Sequence, residues 1–87
     1  MAKKYNLVAR VVSQTGHCGA EHKVGDEWTI SSKTPGGMCL SAFTSMYPAA
    51  RVLMFDGTLP WESDPDVTRV ACPDVDNPVV IEVRRVR

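Results

Sequence analysis

One change of hydrophobic period constrains this chain more than any other feature. A single block of helical spacing stands between two pairs of segments with strand character. In "YNLVARVV" Tyr5, Leu7, Ala9 and Val11 point one way and Asn6, Val8, Arg10 and Val12 the other, the pattern of a half-buried strand. The Gly25-Asp26 pair turns the chain into "EWTI", where Trp28 and Ile30 share a face. After the breaker cluster "SSKTPGG", Ala42, Phe43, Met46, Tyr47 and Ala50 follow Cys39 at offsets of three, four, seven, eight and eleven, one stripe of a helix. Pro48 predicts an end or a kink around Tyr47. "ARVLMFDG" is then either a resumed turn of helix or a short strand before the Asp56-Gly57 turn. "VTRVA" and "VVIEVRRV" are β-branched runs joined by "CPDVDNP", a hairpin with a long connection. The expectation is strands near 5–12, 27–31, 67–71 and 79–86 and a helix near 38–47. That is an α+β domain of order β-β-α-β-β, with one main helix on a small, mostly antiparallel sheet of about four strands in two layers.

With 87 residues the chain makes one domain, residues 1–87, with little core to spare. Trp28, Phe43, Phe55 and Trp61 are expected to supply much of that core. Ten basic residues balance ten acidic ones, which argues against a dedicated nucleic-acid binder. The one basic cluster, "RRVR", alternates with valine and reads as the exposed side of a strand. No apolar run is long enough for a membrane span. "MAKKYNL" lacks the apolar stretch and cleavage site of a signal peptide, so a cytoplasmic location is expected. A small core and the apolar "VLMF" also make a homo-oligomer an expectation.

The chemistry is sought in three cysteines, an odd count that disfavours a disulfide framework. Cys39 follows Pro-Gly-Gly at the start of the helix, where free N–H groups and the helix field favour a thiolate. Its helical stripe also turns it inward, and burial works the other way. Cys18 and His22 form a Cys-x3-His pair in a glycine-rich loop, and Cys72 opens "CPD", with Asp74 beside it. Cys18, His22, Cys39 and Cys72 together would make a Cys3His ligand set for zinc or iron. Cys39 as nucleophile with His22 as base, oriented by Asp74 or Asp26, would make a catalytic centre. The plainer reading is that each thiol is packed and inert. The acidic residues Asp64, Asp66, Asp74 and Asp76 read as turn formers, and Trp61 as a lid over the core.

The ordered series C-x3-HKVGD, GGMC-x2-AF, YP, G-x2-PW and CPD resembles a family of short, uncharacterised bacterial and archaeal proteins, over nearly the whole chain. The resemblance implies no activity. It implies that the three cysteines and His22 belong together, and it leads one to expect glycine where Glu21 stands. The leading expectation is a small cytoplasmic domain with a cysteine-centred site, metal or thiol. The alternatives are a ligand-binding or oligomeric interaction module with structural thiols, and an enzyme built on Cys39.

Overall fold

A computed structural model of the chain describes residues 4–87. The lysine pair of the opening segment is therefore only partly within the described residues. The elements are β1 (Leu7–Gln14), β2 (Glu27–Ile30), α1 (Leu40–Met54), β3 (Val67–Ala71) and β4 (Val79–Arg85). The four strands form one antiparallel sheet in the order β2-β1-β4-β3. The expected order and class hold, and "VTRVA" and "VVIEVRRV" do pair as a hairpin. The first and last strands pair at the centre. α1 carries the chain from one edge strand to the other and covers one face.

The alternation expected for β1, and found also in β4, decides that face. Leu7, Ala9 and Val11 on β1 and Val79, Ile81 and Val83 on β4 are buried beneath Ala42, Met46, Ala50, Leu53 and Met54 of α1. The opposite face carries ion pairs such as Arg10–Glu27 and Arg69–Glu82. The core is aliphatic, which corrects the expectation of an aromatic one. Trp61 is 73% exposed and Phe55 42%, while Trp28 and Phe43 pack against the core's margin. Alanines at Ala9, Ala42 and Ala50 let helix and sheet approach closely, and branched side chains fill the remaining space. Trp61 is thus no lid.

Pro48 does not end the helix. α1 runs on to Met54 with Pro48 inside it. Proline withholds one N–H, but Met46 on one side and Ala50, Leu53 and Met54 on the other are anchored on the same sheet. Packing of both halves outweighs the local penalty. The segment "ARVLMF" is therefore helix as far as Met54. It stops in a Schellman arrangement: Asp56, at φ 66°, donates its N–H to Leu53 C=O, and the Gly57 N–H bonds Val52 C=O.

"RRVR" holds the second correction. Arg84 and Arg87 are exposed, but Arg85 is 3% exposed. It continues the inward register of Val79, Ile81 and Val83 and ends under the C-terminus of α1. There Nη1 donates to Leu53 C=O and Gly57 C=O, each at 3.0 Å, Nη2 donates to Pro65 C=O at 2.6 Å, and Nε donates to Asp66 Oδ1 at 3.0 Å. Asp66 is therefore more than a turn former. Partial desolvation pushes its carboxyl up, but hydrogen bonds and charge from Arg85 and Arg87 outweigh that and hold it below the usual carboxylate value.

Candidate functional site

Two loops, β1–β2 and β3–β4, and the N-terminal end of α1 meet at one side of the sheet. Within β1 a bulge between Val11 and Ser13 shifts the register against β4, and the loop that follows Gln14 leaves the sheet from there. It then passes Gly16 at φ 73°, where an added Cβ would collide with the Asn77 side chain. That close approach lets the His17 N–H donate to Asn77 Oδ1 at 2.7 Å, joining this loop to the β3–β4 connection. Asp74 organises the connection from within. Its carboxylate accepts the N–H groups of Asp76 and Asn77 and the Asn77 side-chain amide. Asp26 does the same for its own turn, accepting the Lys23 N–H at 3.0 Å, with Gly25 at φ 100°.

His22 fixes the start of α1. Its Nε2 accepts the Cys39 backbone N–H at 2.8 Å, and its ring stands edge-on to Trp28, centroids 4.9 Å apart. His22 is buried. The preceding residue, Glu21, has φ 61°, in the left-handed region where a side chain is disfavoured. The glycine expected there from the motif series would adopt this conformation without that penalty. Cys39 is the N-cap of α1 and makes no side-chain cap bond; its C=O accepts the first helical bond, from the Phe43 N–H.

The result is a cavity of about 400 Å³ lined by Cys18, His22, Cys39, Cys72 and Asp74, together with Ala42 and Val79 from the core. All five of these candidate residues thus border one space, and all three cysteines are free thiols. They differ in surroundings. Cys18 is buried. Cys72 Sγ accepts the Val79 N–H at 3.3 Å and lies 3.9 Å from Asn77 C=O. Cys39 is half-buried, and among the described residues its sulfur has no hydrogen-bond partner.

The hydrogen bonds do not set up the Cys39–His22–carboxylate relay. His22 Nε2 faces the Cys39 backbone N–H, and the carboxylates of Asp74 and Asp26 serve their own turns. Among the described residues no three Cys, His, Asp or Glu side chains stand gathered around one point, while His22 Nε2 and Cys72 Sγ each accept a backbone N–H. Ser41 and Asn77 also line the cavity. Sequence reasoning missed Asn77, whose only signal was its place in the Asx-rich "PDVDNP". Comparisons with family models, curated proteins and solved structures find no match to the chain. Among the described residues, no helix is long and apolar enough to cross a membrane.

Proposed function

We propose that the protein binds a small molecule in the thiol-lined cavity, with Cys39 as the side chain that engages it. One observation carries this reading: Cys18, His22, Cys39 and Cys72, distant in sequence, border a single space of about 400 Å³ at the N-terminus of α1. That volume is within the range of small-molecule pockets. Cys39 differs from the other two thiols in having both access and an unengaged sulfur, and it stands where a helix terminus favours negative charge. Free thiols suit the reducing interior expected of a cytoplasmic protein.

The test is alkylation of folded, chelator-treated protein with iodoacetamide, followed by peptide mass spectrometry. Cys39 is expected to label on the order of tenfold faster than Cys18 or Cys72. Equal, slow labelling of all three would leave them as packing residues. Elemental analysis of untreated protein runs alongside. One equivalent of zinc or iron per chain would favour the metal reading over this one.

A further inference from the structure

The hydrogen bonding of His22 narrows the chemistry that can enter the cavity. His22 is 6% exposed and its ring borders the space. Because Nε2 accepts the Cys39 N–H, the ring proton sits on Nδ1. No acceptor for that proton lies among the described residues, and no fully buried side-chain nitrogen or oxygen there lacks a partner. Nδ1 therefore keeps an opening, and the cavity is the space its otherwise buried ring borders. A second set of donors belongs to the same wall. Ser41 and Ala42 line the cavity in the first turn of α1, ahead of Phe43, whose N–H makes the first helical bond. N–H groups at these positions have no intrahelical acceptor.

Charge then separates the ligand classes. Among the described residues Asp74 is the one carboxylate in the lining, and no Lys or Arg joins it. An anion would meet the donors but lose hydration without a cation to compensate, next to a like charge. A cation would face donors that it cannot use and one carboxylate already committed to the N–H groups of Asp76 and Asn77. A neutral acceptor satisfies the donors and adds no charge.

We propose that the cavity takes a small neutral carbonyl compound, its oxygen accepting from His22 Nδ1 and the first-turn N–H groups of α1, beside Cys39. This rests on the small-molecule reading above. Three alkylating probes of nearly equal size test it: iodoacetamide, iodoacetate and 2-iodoethanol. Each rate at Cys39 is divided by the rate of the same probe with N-acetylcysteine. The normalised rate for iodoacetamide is expected to exceed the other two by about tenfold, and to saturate with concentration. Unreactive acetamide should slow the labelling saturably, while acetate should not. Replacing His22→Phe, with the fold checked by circular dichroism, should abolish the preference but not the labelling. Labelling without preference, or a preference for iodoacetate, overturns the carbonyl assignment alone. If no probe labels Cys39 in the folded protein, the small-molecule reading fails and this one with it.

Discussion

Arg85 shows how much one residue can hold together. Its guanidinium answers a carbonyl at the end of α1, two loop carbonyls and the carboxylate of Asp66, with the Tyr5 ring 5.4 Å away. Replacing Arg85→Met removes the donor to Gly57 C=O and Pro65 C=O and leaves Leu53 C=O and Asp66 with only the Asp56 N–H and Arg87, at a largely buried place. Urea denaturation is expected to show a loss of about 3 kcal/mol or more. Arg85→Lys should fall between, because a single ammonium cannot fork to all of them. Arg84→Met is the control. Its ion pairs with Glu82 and Asp64 are 3.7 and 3.8 Å long and the Arg84 side chain is half exposed, so its effect should stay within about 0.5 kcal/mol. Equal losses from Arg85→Met and Arg84→Met would mean that the buried fork contributes nothing special. Val79, Ile81 and Val83 face inward in the structure, and the two-residue period of the strand puts Arg85 on the same face. Residue type argued for the surface, and position decided for the interior.

Among the elements, α1 is where local rules and packing disagree. Thr44 lies four residues before Pro48, so its C=O has no N–H to receive there, and its own hydroxyl donates back to Leu40 C=O at 2.9 Å. Pro48 is exposed, so changing it disturbs little packing. Pro48→Ala is expected to stabilise the fold by about 1–2 kcal/mol. This is the helix-interior cost of proline less the unfolded-chain freedom that alanine restores. A melting temperature that is unchanged or lower would show that the sheet requires a bend at this point. The strands and the helix start were legible from period alone. The helix end was not, because the apolar anchors beyond Pro48 bury only once the sheet is in place.

For the whole molecule, the pair Asp66–Arg85 ties stability to pH. Asp66 is charged in the fold and its carboxyl is held below the ordinary value. The stabilisation from that shift is fully present above the unfolded-state carboxyl pKa. It is lost as pH falls through the lower folded-state pKa, because the unfolded chain takes up the proton first. Urea midpoints measured from neutral to strongly acidic pH should fall for the natural chain. The gap between it and Asp66→Asn should shrink over the same range. A gap that stays constant with pH would remove Asp66 from the acid response.

Period and spacing alone set the fold class, the strand and helix order and the apolar stripe of the helix, because alternation and helical spacing are local and are written residue by residue. They also left the residues of the cavity recognisable, as polar and sulfur-bearing side chains beside glycine and proline. The roles of those residues came from docking. Assembly of the elements placed the four side chains around one space, gave His22 Nε2 to a backbone N–H, turned Asp74 and Asp26 to their own loops and buried Arg85. Each of these depends on which donor meets which acceptor across segments far apart in the chain. Such pairings follow from how helix and loops settle on the sheet, and no local pattern records them.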